Sequence, residues 1–402
     1  MIYLDNAAAA PMTETAMNAY LAAAKEAGNP SAAHAQGRKL QEDIAAERAY
    51  FLSLFRPAAA SLEKEEAFIF CSSLTEANNM MWRGLTLRPG DEIFFSPADH
   101  PSLTMVQDFY ATSPLAAGGI KVRPLPLERG RLDEAMFFAS LGPQTKLILL
   151  SSVNNTCGLI NPVERWSWEI KRHAPQALIH LDHGQGFLKH PLQTHCFDSI
   201  AVPSTKIGGP GGIAGLWLRQ KTIWHPWLYG GGHEYNLRAS SLTYPLIKSF
   251  AAAVREQVPQ VAARAKTAAH LKQVFQQTLR QEGDGIRFLL EEERKELNQQ
   301  RTESPVTAAF SPFMTLAYFP KVSSDILMRY LEREDIMAAA SSACSSHIAG
   351  YDPVLAALGL LESDHKKVLR FSWAATIPES DLAMAAHRVA YHYRSLAKFA
   401  GR

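Results

Sequence analysis

Cysteine is scarce in this chain: four among 402 residues, Cys71, Cys157, Cys196 and Cys344, far apart and with no CxxC pair. That spacing excludes a disulfide framework and a cysteine-built metal centre, and it predicts a reducing, cytoplasmic setting. Excess charge of either sign is missing too, since 41 Lys and Arg against 39 Asp and Glu leave a formal net charge of +2. The basic residues neither gather into a stripe nor interleave with aromatics, so no nucleic-acid surface is indicated. No uncharged apolar run approaches the roughly 18 residues of a membrane span. The opening MIYLDNAAAAP has no basic stretch ahead of its short apolar run, so neither a signal peptide nor a membrane anchor is expected. What is present is ordinary for a globular protein, 47% hydrophobic and 20% charged residues, at a length that suggests two or three domains.

Between about Ala67 and Arg219 seven short apolar runs, AFIFCS, DEIFFSP, KVRPLPL, TKLILLSS, ALIHLD, DSIAVPS and GIAGLWL, alternate with longer segments of helical period. Such runs, punctuated by Gly, Pro and Asn, read as buried strands, and helices between them imply βαβ crossovers. The fold class is therefore α/β, with a mainly parallel sheet. A helical stretch from about Tyr244 to Gln281 follows and is expected to link this domain to a smaller α+β one, built from FMTLAYFP, SSDILMRYLERED and the closing ESDLAMAAHRVAYHYRSLAKF. The domain boundaries are placed at 15–255 for the large domain, with 1–14 and 256–402 forming the small one. The charged run from Glu291 to Glu303 reads as a solvated loop.

The strongest chemical signal is LDHGQ, ending in Gln185, followed by STKIGGPGG from Ser204 to Gly212. An acid at a strand's carboxyl end, Asp182, precedes by 24 positions a lysine, Lys206, set before a glycine-rich turn. This suits a cofactor held at the ligand-binding edge of the sheet and condensed with the amine. Only a primary amine can do that, and desolvation makes it nucleophilic. On these residues alone a strand-end aspartate and a surface lysine remain an open alternative. Cys344 by itself reads as a small core residue, as do Cys71, Cys157 and Cys196.

Those stretches, with several others in the same order, resemble the cysteine desulfurases of the class V aminotransferase superfamily, enzymes of the pyridoxal 5'-phosphate (PLP) fold type I. YLDNAAAAP and GNPSAAHAQGR are similar to the family's first strand and substrate loop, which makes His34 a substrate-side candidate. FCSSLTEANN resembles the cofactor-phosphate loop, implying that Thr75 and the amide of Leu74 meet an anion at a helix start. His100 matches the histidine that stacks on the ring and assists proton transfer. Asn155, in SVNNTCG, and Gln185 match residues near the ring hydroxyl. GGGHEYNLRASS resembles the segment that reaches into a second subunit, so a homodimer is implied, with Ser241 completing the other copy's phosphate site. Arg370, in RFSW, matches the arginine that clamps the substrate carboxylate. AAASSACSSHIAG resembles the loop carrying the catalytic cysteine, which places Cys344 there, 26 residues before Arg370.

The resemblance implies a large domain with a seven-stranded sheet, PLP on Lys206, L-cysteine as substrate, and sulfur passed through a Cys344 persulfide to an acceptor protein such as those of iron-sulfur assembly. Once substrate is bound, cationic His100 and Arg370 are expected to favour the Cys344 thiolate. Where the family carries histidine and glycine before the lysine this chain has Thr205 and Ser204, whose hydroxyls are expected to reach the phosphate. It has Ala9 and Ala10 for two threonines, Ser240-Ser241 for Gly-Thr, and His183-Gly184 for Ala and Thr. These changes are expected to crowd the substrate side. Another class V reaction (aminotransfer, selenocysteine cleavage or beta-elimination), and a non-catalytic sulfur-relay scaffold, are the alternatives.

Overall fold

The computed structural model describes residues 1–56, 65–112, 119–128, 130–291, 310–340 and 352–399. Each of the seven apolar runs forms a strand: β1 Ala67–Cys71, β2 Glu92–Phe95, β3 Lys121–Pro124, β4 Thr145–Ser151, β5 Leu178–Asp182, β6 Ser199–Pro203 and β7 Ala214–Leu218. They lie side by side in the order β1-β7-β6-β5-β4-β2-β3. The sheet is mixed, because β7 runs antiparallel to both its neighbours. The physical reason lies in the connection from Pro203 to Ala214, which is too short for the helical crossover that a parallel neighbour requires.

One face of the sheet is covered by α1 (Glu14–Ala24), α2 (Ala35–Leu54) and α4 (Tyr244–Gln257), with α3 (Leu74–Arg83) on the other side of the chain's path after β1. Phe51 anchors this first core, stacked at 4.6 Å on Phe68 and 4.6 Å from Phe250, all three fully buried. Burial of side chains this size contributes roughly 1.5–3 kcal/mol each. The expected helix from Tyr244 to Gln281 divides at Val258–Gln260, where Pro259 removes a backbone donor, and resumes as α5 (Val261–Glu282).

The second core forms around four antiparallel strands, β8 Arg287–Phe288, β9 Met314–Tyr318, β10 Ala339–Ala340 and β11 Val368–Ser372, in the order β8-β9-β11-β10. Helices α5, α6 (Ser324–Glu332) and α7 (Glu379–Ala397) bury Phe275, Leu327 and Val389 against it. The chain begins in this layer, with Ile2 and Tyr3 paired in parallel to Ile336 and Met337. It then crosses to the first, where Ala10 N donates to Thr205 O and Thr13 N to Gly208 O. Asp5 and Ala7 are thereby held between the two cores. The run after Glu291 and the whole of 341–351, including Cys344, lie outside the described residues. No helix among the described residues is long and apolar enough to cross a membrane.

The segment from Gly230 to Ser241 is strained. Glu234, Tyr235 and Asn236 all have positive φ (49°, 57° and 62°), a region costly for side chains with a Cβ. The Glu234 carboxylate holds this turn, since it is buried, paired with Arg48 and accepts from Phe70 N. Ser240, at φ 138°, occupies a conformation suited to glycine. Ser240→Gly should therefore stabilise the protein by about 1 kcal/mol and raise the calorimetric melting midpoint by about a degree or two. A lowered midpoint would show that the backbone there is unstrained.

Candidate active site

The parallel strands deliver polar residues to one edge of the sheet. Asp182 is the last residue of β5, and Ser204, Thr205 and Lys206 follow β6 in a single helical turn closed by Gly208. Gly208 is obligatory there: its φ is +80° and an added Cβ would lie 2.6 Å from Thr13 Cγ2. Open sheets bind ligands outside these carboxyl ends because loops diverge there and leave a crevice.

Asp182 and Lys206 are brought together. A Cβ placed on Gly184 would lie 2.7 Å from Asp182 Oδ1 and 3.5 Å from Lys206 Nζ, so acid and amine face the same spot. That Cβ would also meet Leu74 Cδ2 at 2.7 Å, which puts the first residue of α3 against the pair. Asp182 is buried and takes hydrogen bonds from Gly184 N (2.7 Å) and Asn78 Nδ2 (2.6 Å).

At the start of α3, Ser73 caps the helix by accepting from Glu76 N (3.1 Å), while the Glu76 carboxylate accepts from Ser72 N and binds Arg238 at 2.8 Å. The arrangement is a variant of the capping box, with the carboxylate reaching the amide before the cap residue rather than the cap's own. The amides of Leu74 and Thr75, in the first turn, lack intrahelical partners, as first-turn amides do. Thr75 is exposed beside them. Gln185 is buried, donates through Nε2 to Ala7 O (2.8 Å), and keeps Oε1 without a partner among the described residues. Ser204 Oγ is likewise buried and unpartnered among them, and it packs so tightly on Gly209 that a Cβ there would stand 2.2 Å away. Its hydroxyl is turned into the glycine loop, contrary to the expectation that it reaches toward a phosphate, and half-buried Thr205 is the more open of the two.

Arg370, on β11, is buried, with Nη2 2.7 Å from Asp5 Oδ1 and Nη1 donating to Asn155 O at 2.9 Å. Its Nε has no partner among the described residues. The arginine therefore bridges the two cores, with Asn155 half-buried at the contact. Ala339 of β10 pairs with Arg370, so the chain leaves the second sheet toward Cys344 from beside this arginine. His34 is not gathered in by any hydrogen bond: it is exposed and caps α2 through Nδ1, accepting from Gly37 N at 3.1 Å. Ser241 is exposed on the strained segment.

His100 caps the short helix Pro101–Thr104, its Nδ1 accepting from Ser102 N at 3.1 Å. Burial, and then the charge of Lys206, hold its imidazole below the ordinary histidine value. In the protein without substrate the imidazole is held toward its neutral form, because a ring nitrogen already accepting a backbone N–H inside the protein resists protonation. His183 also departs from expectation. It is folded inward onto Ser152 Oγ (2.8 Å) and Phe187 rather than crowding the ligand side, and a Cβ on Gly186 would come within 2.4 Å of its ring.

Several residues of this neighbourhood were not singled out from sequence. His180 is fully buried one strand period before Asp182, and Asn78 is fully buried on α3. Asp99 is buried, accepts from Ser151 Oγ, and burial pushes its carboxyl up to about 7. Lys189, 6% exposed, is brought down to about 7 by burial and then by the charge of Lys206. The available signal was a polar residue inside an apolar run, as in ALIHLD, where positions two apart share a face.

Burial holds three histidines neutral, His180 and His190 lowered to about 4 and His183 to about 3. Above the ordinary value of 6.5 neither folded nor unfolded rings bind protons, so their contribution to stability is complete there. As pH falls below 6.5 the unfolded chain takes up protons that the folded one refuses until its own lowered values are reached, and stability is lost across that window. Each tenfold weakening of proton binding is worth about 1.4 kcal/mol, so over three rings the loss should reach several kcal/mol by about pH 4. Urea midpoints measured from about pH 7.5 to 4.5 should fall steadily, and a flat profile would contradict the buried neutral rings.

The residues present fit PLP: an amine beside a buried carboxylate, first-turn amides for an anion, and an unsatisfied Gln185 oxygen at the same edge. The sequence profile of the Aminotransferase class-V family matches residues 2–384. The chain is 27% identical over 405 residues to the "NifS/IcsS protein homolog" of Lactobacillus delbrueckii subsp. bulgaricus, covering 98% of each. It is 26% identical over 370 residues to "Cysteine desulfurase IscS 1" of Archaeoglobus fulgidus, covering 90% of this chain and 88% of the relative. Among solved structures it superposes on a "NIFS-LIKE PROTEIN" with a TM-score of 0.83 at 20% identity, over 98% of this chain and 100% of the other. A profile match across nearly the whole length, a shared fold and an amine–acid pair at the sheet edge agree, and the chain belongs to the class V aminotransferase family.

Proposed function

We propose that this chain is a PLP-dependent cysteine desulfurase that converts L-cysteine to L-alanine and carries the sulfur as a persulfide on Cys344. The observation that supports it most is the shared position of Lys206 Nζ and Asp182 Oδ1 against Gly184. Two curated relatives matched over most of their length carry desulfurase-type names. PLP, when bound, supplies a ring that withdraws electrons from the substrate's alpha carbon.

The protein's own groups divide the remaining work. Lys206 would hold the cofactor through its amine and would be the base placed to take the alpha proton of the substrate. Asp182 keeps a proton on the ring nitrogen through a carboxylate already oriented by two donors. Gln185 and Asn155 would serve the ring hydroxyl, and the amides of Leu74 and Thr75 with Thr205, and Ser241 of a second copy, would serve the phosphate. Arg370 would meet the substrate carboxylate as a planar, permanently charged fork, as it already contacts the carboxylate of Asp5. His34 would serve the substrate side, and His100 would cover the ring and assist proton transfer.

Cys344 lies four residues past Ala340, a distance the chain spans in at most about 14 Å, and Ala340 follows the partner of Arg370 in the sheet. The thiolate attacks the substrate sulfur, the carbon–sulfur bond breaks, and the carbon takes up a proton. The balance is one L-cysteine and one thiol giving one L-alanine and one Cys344 persulfide. The sulfur then passes to an acceptor protein.

Incubation with L-cysteine should release L-alanine and add the mass of one sulfur atom to the Cys344 peptide. Cys344→Ala should lower alanine formation by roughly three orders of magnitude while keeping the cofactor's visible absorbance. Undiminished alanine release from Cys344→Ala would refute the assignment in favour of another class V reaction.

A further inference from the structure

Asn78 is fully buried, and every polar atom of its side chain is engaged. Nδ2 lies 2.6 Å from Asp182 Oδ2 and 2.8 Å from Ser102 Oγ, and Oδ1 lies 3.0 Å from His180 Nε2. Beyond these, Ser102 Oγ is 2.9 Å from His100 Nδ1, and His180 Nδ1 is 2.8 Å from Ser199 Oγ. One amide thus stands between the carboxylate and the histidine assigned to the two sides of the cofactor.

Proton accounting fixes the direction of each bond. A carboxylate accepts only, so the NH2 of Asn78 faces Asp182 and its carbonyl faces His180. His180 must then carry its proton on Nε2, leaving Nδ1 to accept from the Ser199 hydroxyl. The second N–H of Asn78 goes to Ser102 Oγ, which turns the Ser102 hydroxyl proton toward His100 Nδ1. That nitrogen already accepts the Ser102 backbone N–H at 3.1 Å, so the proton of His100 resides on Nε2. Reversing any one bond leaves two donors or two acceptors in collision inside the protein, at a cost of about 1–3 kcal/mol for each unsatisfied group.

We infer that Asn78 is a positioning residue that sets the orientation of the Asp182 carboxylate and the tautomer of His100 through a single amide, with His180 and Ser199 locking that amide against rotation. Its action on the cofactor rests on the PLP reading; the tautomers do not.

Asn78→Asp preserves size and removes the donor. A carboxylate at 78 would face Asp182 at about 2.6 Å, so the two must share a proton, and His180 would gain an acid partner. The test is nitrogen-15 NMR of histidine-labelled protein without cofactor, with His100 and His180 assigned by the signals missing from His100→Gln and His180→Gln. In the wild-type protein both rings should carry hydrogen on Nε2 alone at about pH 8, and a neutral ring with its proton on Nδ1 in either would overturn the inference whether or not Asn78→Asp folds. In Asn78→Asp, His180 should protonate at least about one pH unit higher than in wild type, and the visible absorbance of bound cofactor should shift its pH midpoint by about as much. Unchanged midpoints in a folded variant would reduce Asn78 to a filler. A wild-type protein that shows these tautomers and binds no PLP would sink the functional reading while leaving the hydrogen-bond frame intact.

Discussion

A lysine amine and an aspartate carboxylate held against the same glycine are the arrangement on which the rest of this structure converges. Neither group could be placed there by its own strand alone. Asp182 comes from the end of β5 and Lys206 from the turn after β6, and the two meet because parallel neighbours end at the same edge. Gly184 makes room for both, and any side chain there would strike Leu74 or Asp182.

The surroundings push ionisable groups away from their ordinary behaviour, which is what an acid–base site requires. Burial alone accounts for most of it. It lifts Asp99 to about 7 and lowers Lys189 to about 7, with neighbouring Asp182 adding to the first and Lys206 to the second. Burial lowers the His100 imidazole as well, while Arg370, permanently charged, reaches across both cores to Asp5 and Asn155.

Much of this was legible in the residues. Six strands of the large sheet were visible as apolar runs because they are buried, the edge strand Lys121–Pro124 being mostly exposed, and the helical stretch from Tyr244 to Gln281 was visible from its period, though not its division at Pro259. The orientation of β7 was not, since an apolar run has no direction; the short link after Lys206 decides it. The pairing of Asp182 with Lys206 was an open alternative from spacing and became specific only through family resemblance, because residues 24 apart meet by sheet topology, which no local pattern encodes. His183 and Ser204 were read from their neighbours in sequence, yet each turns inward to fill space left by a glycine, Gly186 and Gly209. Asn78 and His180 escaped notice because a buried polar residue in an apolar stretch looks like noise until its partners, about a hundred positions away, are known.

The claim at the centre of this account is that the amine at position 206 is the one that carries the cofactor. Reduction of the PLP-loaded protein with borohydride fixes the cofactor to whichever lysine holds it, and peptide mass analysis then names that lysine. The account predicts a single phosphopyridoxyl label on Lys206. A label on Lys189 instead, a buried amine of the neighbourhood, or no label on any lysine, would contradict it.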